Sequence, residues 1–350
     1  MRLGAVPQNI KESIALATGR IPTPLMHTFV ALLLARTIMA AARAGIFQAL
    51  DLEPLTADEV AKRCGTDPEA TKKLVRALFA CKYLRYKNNC FALAPVARRW
   101  LSPNSVCSLH SAVLHCRLDL RFMNFEEYVR HGRSEHFHSA LSPEDWRLYH
   151  RGQGDYAALM IDELIDGIPV PPHATDLLDL GGGHGLYAFE FCRRYRKLRA
   201  RVLDLTISAA EPVAMRASDG VCGRVKFETG DIRIVPLEPC STDIALLTNV
   251  MHHFDEATNR SLLQRVAAAL RSGGIAVLVD AMRSSSQKEI GQFEGLLDLY
   301  FGASGGAGLW TIAKVQDWAR EAGLAVMPPI PIRRMPFCKM QIARKAAEEP

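Results

Sequence analysis

Two patterns of apolar residues divide the chain. From Phe29 to Leu50 they run almost without interruption. Ala31, Leu32, Ala35, Ile38, Ala41 and Ala42 recur at helical spacing, which predicts a long buried helix set against a partner subunit. Leu55-Thr-Ala-Asp-Glu59 then carries a capping box, with Thr56 as cap and Glu59 reaching back, and Gly65 closes that short helix. Asp67-Pro68 opens another, an aspartate cap ahead of a proline at the first helical position. Tyr83 to Leu93 follows as two alternating runs around Asn88-Asn89, residues that tolerate the positive φ of a tight hairpin. Helix, helix, hairpin is a winged helix. Further along, Ser142-Pro-Glu-Asp145 starts a helix in a helical connection spanning 105–170.

In the second half the apolar runs shorten. Asp176-Leu-Leu-Asp-Leu180 reads as a buried strand, a glycine-rich turn follows, and an amphipathic segment comes after it. Arg201-Val-Leu-Asp-Leu205 reads as the next strand and Arg224 to Asp231 as a third. Strands alternating with helices predict an open α/β sheet, with a ligand crevice at the strands' C-terminal ends.

Composition changes this picture little. In 350 residues, 49% hydrophobic and 23% charged residues are those of an ordinary globular protein with room for two domains. A net charge of +6 is spread without a dense basic run, so nucleic acid is not the expected partner. Lys72, Lys73 and Arg76 on the second winged helix keep a DNA-binding reading open as a rival. Arg36 and Arg43 interrupt the apolar N-terminal run, and no secretory signal is visible, so no membrane partner is expected. Nine scattered cysteines without a C-x-x-C pair point to reduced thiols and a cytoplasmic location.

The candidate chemistry gathers at the strand ends. Gly181, Gly183 and Gly185 allow a tight turn and close approach to a ligand. A dinucleotide fingerprint would place its third glycine where Leu186 stands, and no Gly-Lys-Ser/Thr follows, so neither that motif nor a phosphate loop fits. What remains, D-x-G-x-G-x-G, suits a ligand held by its amino-acid and nucleoside parts. Asp204, 19 residues beyond Gly185, is placed to accept from both ribose hydroxyls, and Asp231 from an adenine amino group. His131, His136 and His138 with Glu135 read as a solvated loop in preference to a metal site, and no metal is expected.

With these landmarks the chain resembles the class I S-adenosylmethionine-dependent methyltransferases over roughly residues 170–345. It is similar in particular to the small-molecule O-methyltransferases of secondary metabolism that carry an N-terminal dimerisation domain. The resemblance implies a Rossmann-like, doubly wound, seven-stranded methyltransferase domain behind a mainly helical winged-helix dimerisation domain, hence a homodimer. The expected division is 1–105 for dimerisation, 106–170 for a helical linker lining the substrate pocket, and 171–350 for S-adenosylmethionine binding. Asp243 to Phe254 looks like the fourth strand and its active-site turn. Arg265 to Ile275 looks like a helix and Gly-Gly turn into a fifth strand, Ile275 to Asp280, and a last hairpin is expected from Ala325–Pro331 and Phe337–Arg344.

The implied cofactor set is Asp179, Gly181, Gly183, Gly185, Asp204, Leu205, Gly230, Asp231, Ile232 and Asn249. His252 falls on the family's general base and Asp280 on its first supporting carboxylate, with Tyr156, Met160 and His253 on the substrate side. One departure stands out: the family's second supporting glutamate falls near Leu309, where no acid stands. The implied activity is O-methylation of a hydroxyl on an aromatic or polycyclic small molecule. The rivals are C- or N-methylation on the same scaffold, and an inactive ligand-sensing or DNA-binding regulator.

Overall fold

The computed structural model describes residues 4–132, 137–205, 221–305 and 307–347. These form two compact units that divide between Arg117 and Leu118.

In the first unit the capping signals act as the sequence predicts. Thr56 N donates to Glu59 Oε2 at 2.7 Å while Glu59 N donates to Thr56 Oγ1 at 3.3 Å, which starts the helix Ala57–Cys64. Asp67 Oδ1 accepts from Ala70 N at 2.7 Å ahead of the helix Pro68–Ala80. The hairpin of β1 (Leu84–Lys87) and β2 (Cys90–Leu93) turns on Asn88 and Asn89 at φ 49° and 62°. Lys72 is paired with Glu69 at 2.9 Å and Asp58 at 3.3 Å, so one cation of the rival DNA-recognition face is already engaged by acids.

The long N-terminal helix differs from expectation. It breaks at Ala44-Gly45, where Gly45 has φ 78°, and a second helix runs from Ile46 to Leu52. Only its C-terminal part enters the core: Ala41, Ala42, Ile46, Phe47, Ala49 and Leu50 pack with Leu55, Val60 and Val75. Leu32 and Ala35 are exposed, as are Leu25, Phe29 and Leu33. By length and composition Thr23–Arg43 could cross a membrane, since the two arginines do not shorten it below that limit. Helical periodicity specifies an apolar face and leaves open what covers it.

In the second unit the path of hydrogen-bonded strands is β10 (Ile330–Pro331), β11 (Cys338–Lys345), β7 (Leu270–Arg283), β6 (Thr242–Thr248), β3 (Asp176–Leu180), β4 (Arg199–Asp204), β5 (Val225–Thr229). Two short strands join beside this path, β8 (Trp310–Thr311) on β7 and β9 (Leu324–Val326) on β11. β3 to β7 run parallel, and β11 returns antiparallel to β7. Alternate residues of each strand serve opposite faces. Leu177, Val202, Ile244, Leu246 and Val277 pack on one side; Leu178, Leu203, Ala245, Leu247 and Leu278 pack on the other.

β7 begins earlier than the sequence suggests. Gly273-Gly274 do not form a turn outside the strand but sit in an irregular opening stretch. Thr242 pairs with Leu270 and Ile244 already pairs with Ile275, and Gly273 takes φ 75° to absorb the difference. From β3 the order runs to β4 and β5 on one side and to β6 and β7 on the other, so the crevice of the switch point opens at the C-terminal end of β3.

Candidate functional site

A cavity of about 590 Å³ opens at that switch point. From the strand ends it receives Gly181, Gly183, Asp204, Leu205, Gly230, Asp231, Ile232 and Asn249, eight of the ten residues expected to hold the cofactor. Asp179 and Gly185 are not among the lining residues. Asp179 is fully buried behind the glycine turn, with neither carboxylate oxygen hydrogen-bonded among the described residues. Burial, and then the charge of Asp204, push its carboxyl up to about 7.

Glycine is required in this turn by contact as well as by φ. A Cβ on Gly182 would lie 2.5 Å from Asp179 Cγ, and one on Gly185, at φ 70°, 2.5 Å from Phe227 Cζ. Gly183 N donates to Asp204 Oδ2 at 2.6 Å and Leu205 N to Oδ1 at 2.7 Å, which aims the carboxylate at the turn. Asp231 is gripped by Arg233, whose Nε stands 2.9 Å from both carboxylate oxygens; that hydrogen bonding lowers its carboxyl below the usual range. Arg265 Nη1 in turn donates to the carbonyls of Ile232 and Arg233, each at 2.8 Å, and fixes the loop. Asn249 is held at φ 55°, an uncommon conformation for a residue other than glycine, while its N–H donates to Val279 O at 2.7 Å.

A further part of the wall comes from the helix Pro143–Asp166. Ser142 starts it with a reciprocal cap, Asp145 N donating to Ser142 Oγ at 3.2 Å and Ser142 N to Asp145 Oδ2 at 3.3 Å. Trp146, Tyr149, His150, Gln153 and Ala157 face the cavity, a stripe with spacings of three and four residues. This corrects the expected inward pair. Met160 is fully buried in the sheet core, and Tyr156, half-buried, is not part of the wall among the described residues. The expected pair lies on the adjoining face of the same helix. The spacing of Trp146, Tyr149 and Gln153 was the signal that would have found the right one.

His138 is a second correction. It belongs to the wall and not to a solvated loop, with its ring 5.4 Å from Trp146 in a stacked arrangement and 5.0 Å from His253. His131 is exposed at the end of the helix Phe125–His131, and Glu135 and His136 lie outside the described residues. No described group of His, Cys, Asp and Glu is arranged to hold a metal ion.

His252 and His253 occupy the short turn after β6. His252 is buried; its Nδ1 lies 2.7 Å from Asp280 Oδ1 and its backbone N–H donates to Asp280 Oδ2 at 3.2 Å. Asn259 Nδ2 pins the turn by donating to Met251 O and Phe254 O, both at 3.0 Å. Phe301 stacks on the His252 ring with centroids 3.7 Å apart. His252 is not itself a lining residue; it touches the wall through His253, centroid to centroid 4.2 Å. Burial first, then the neighbouring imidazoles of His252 and His138, hold His253 neutral by lowering its affinity for a proton well below the usual histidine range. Leu309 is buried, and its N–H is satisfied by Asp298 Oδ1 at 2.7 Å. Asp298 also pairs with Arg283 at 3.7 Å.

Comparison with known proteins agrees with this geometry. Residues 107–323 match the model of the O-methyltransferase domain, and residues 26–103 match that of the O-methyltransferase dimerisation domain. The chain is 26% identical over 313 residues to the 3-hydroxy-5-methyl-1-naphthoate 3-O-methyltransferase of Streptomyces sahachiroi, spanning 86% of this chain and 89% of that one. It is 25% identical over 260 residues to the N,N-dimethyltransferase OxyT of Streptomyces rimosus, spanning 71% and 75%. The solved structure of human N-acetylserotonin methyltransferase in complex with SAM superimposes with a TM-score of 0.79 at 16% identity, covering 98% of this chain and 99% of that one. With a glycine turn that a Cβ would obstruct and a carboxylate aimed at it beneath a matching domain signature, the chain belongs to the S-adenosylmethionine-dependent O-methyltransferase family that carries an N-terminal dimerisation domain.

Proposed function

We propose that the protein O-methylates a hydroxyl of an aromatic or polycyclic small molecule, with His252 as general base and Asp280 as its orienting carboxylate. The observation that carries this reading is the 2.7 Å contact between His252 Nδ1 and Asp280 Oδ1 beside the cavity. A carboxylate there keeps the proton on Nδ1 and leaves Nε2 as the basic atom. When bound, the cofactor supplies a methyl group already made electrophilic by the sulfonium. What the chain contributes is alignment and proton removal. Asp204 and the glycine turn would hold the ribose and amino-acid portions, the Ile232 and Asp231 region the adenine, and the aromatic stripe from Trp146 to Gln153 the flat acceptor.

His253 lines the cavity but is a poor rival base, because a histidine held so far toward the neutral form takes up a proton weakly. The same placement supports a second reading. His252 is buried and is not among the lining residues, so a carbon or nitrogen acceptor that needs alignment and no base would also suit the cavity.

Incubation with labelled S-adenosylmethionine and a matched panel of phenols, anilines and activated aromatic carbons separates these readings. Transfer to phenols that collapses in His252→Ala supports the first. Transfer to amines or carbon that survives the substitution supports the second. No transfer to any acceptor, together with an electrophoretic shift of DNA, would point to the regulator. We place the protein, with its unbridged described cysteines, in the cytoplasm as part of the same reading.

A further inference from the structure

His150 projects from the cavity-facing stripe of the Pro143–Asp166 helix and is only 7% exposed. Neither Nδ1 nor Nε2 meets a hydrogen-bond partner among the described residues. A neutral imidazole offers one donor and one acceptor, and burying both unpaired is costly. The rings of Trp146 and Tyr149 pack beside it, with centroids 5.5 Å and 5.7 Å away. A Cβ built on Gly183 would stand 3.3 Å from His150 Cε1, 3.5 Å from His150 Nδ1 and 3.6 Å from Asp204 Oδ2. The imidazole and the Asp204 carboxylate therefore flank the same point of the glycine turn, where the chain leaves room for a ligand.

We infer that His150 is a cofactor-binding residue whose neutral imidazole shares the ribose hydroxyls of the adenosyl group with Asp204, and whose protonation closes that site by turning the ring onto the Asp204 carboxylate. The inference rests on the cofactor occupying this cavity. A ribose diol suits the pair, because each hydroxyl can donate to the carboxylate or the imidazole lone pair while accepting from the imidazole N–H. A ligand without a diol would leave one of these groups unpaired.

Asp179, its carboxyl raised to about 7 behind the glycine turn, takes up a proton between pH 8 and pH 5.5 and gives a background shared by every variant, whereas His184 and Tyr149 keep their charge over that range. His184, from the glycine turn, is pushed down to about 3 by burial and by His150. Tyr149, the preceding helical residue, is driven above its ordinary value by burial first and then by Asp204 and Asp119, and so stays protonated. Facing His150 itself, burial disfavours the imidazolium and Asp204 favours it, burial being the larger. Acidification below the ordinary imidazole range then converts a hydrogen-bonding pair open to ligand into a closed ion pair. Ligand affinity is highest with the imidazole neutral and falls as pH drops.

Titration calorimetry with S-adenosylhomocysteine tests this on the full-length chain, His150→Ala and His150→Gln, each at pH 8 and pH 5.5, with thermal melting of every variant. The unaltered chain should bind about threefold more weakly at pH 5.5 than at pH 8. His150→Ala should bind about tenfold more weakly at pH 8. Glutamine keeps a donor and an acceptor without titrating, so His150→Gln should stay within about threefold of the unaltered chain at pH 8 and show a smaller pH dependence than the unaltered chain. Undiminished affinity in His150→Ala, or a pH dependence in His150→Gln equal to that of the unaltered chain, would overturn the inference. If His150→Ala fails to fold, the pH profile of His150→Gln decides. Failure of the unaltered chain to bind at either pH would overturn the cofactor placement itself, and this inference with it.

Discussion

Individual side chains at the strand ends carry the sharpest consequences. If His252 removes a proton from the acceptor, His252→Ala should lower turnover by roughly 10²- to 10⁴-fold while affinity for S-adenosylhomocysteine stays nearly intact. His253→Ala should cost far less, since that ring is held neutral and only shapes the wall. Steady-state kinetics paired with calorimetry separate the two effects, and full turnover of His252→Ala on a phenol would remove the base assignment. Asp179 makes a different prediction. Its folded-state carboxyl is raised to about 7 by burial and by Asp204, above the unfolded value of 3.8. Its contribution to stability is therefore fully present below about 4 and is lost as pH rises through about 7. Asp179→Asn should leave stability near pH 4 little changed and raise that of the ligand-free protein at pH 8, by an amount on the order of 2–4 kcal/mol. Urea unfolding at the two pH values measures this, and an equal effect at both would refute it.

At the scale of elements, the glycine turn and the N-terminal helix make contrasting demands. The turn is constrained from within the unit: at Gly185 a methyl group meets both φ 70° and the Phe227 ring. Gly185→Ala should destabilise the protein by about 1–3 kcal/mol. Adding Phe227→Leu should recover the part due to contact and leave the part due to backbone conformation, which melting of the single and double variants would show. The helix Thr23–Arg43 is constrained from outside, because Phe29, Leu32 and Leu33 are exposed on it within a segment matching the dimerisation domain. Replacing Phe29 and Leu33 by glutamate should shift sedimentation from dimer toward monomer at micromolar concentration. A double variant that remains fully dimeric would locate the interface elsewhere.

For the whole molecule, assembly and folding are linked through this same N-terminal segment. Removing residues 1–50 would take away the exposed apolar face and also Ala41, Ala42, Ile46, Phe47, Ala49 and Leu50 from the core of the first unit. The truncated chain should aggregate or lose the cooperative melting of that unit, because six of the fifteen buried residues of the core that holds Leu55, Val60 and Val75 would be gone. A soluble, cooperatively folding monomer after truncation would contradict this. The dimerisation match accounts for an apolar helix that length and composition alone would also allow in a membrane.

Much of this protein is written in local sequence because the physics involved is local. Capping by Thr56, Asp67 and Ser142, the Asn88-Asn89 hairpin, and glycine at 181, 183 and 185 each depend on a few adjacent residues. Strand alternation in β3 to β7 follows from burial on both faces, and with it the alignment of Asp204, Asp231 and Asn249 at one edge. Tertiary structure decided what periodicity leaves open. It turned Trp146, Tyr149 and His150 toward the cavity and Met160 into the core, since one helix offers several apolar faces and only packing selects among them. It brought His138 against His253 across more than a hundred residues. It also placed the buried Asp280 beside His252 and left His150 without a hydrogen-bond partner among the described residues at the glycine turn, because the distance between groups on separate elements is set by how those elements pack.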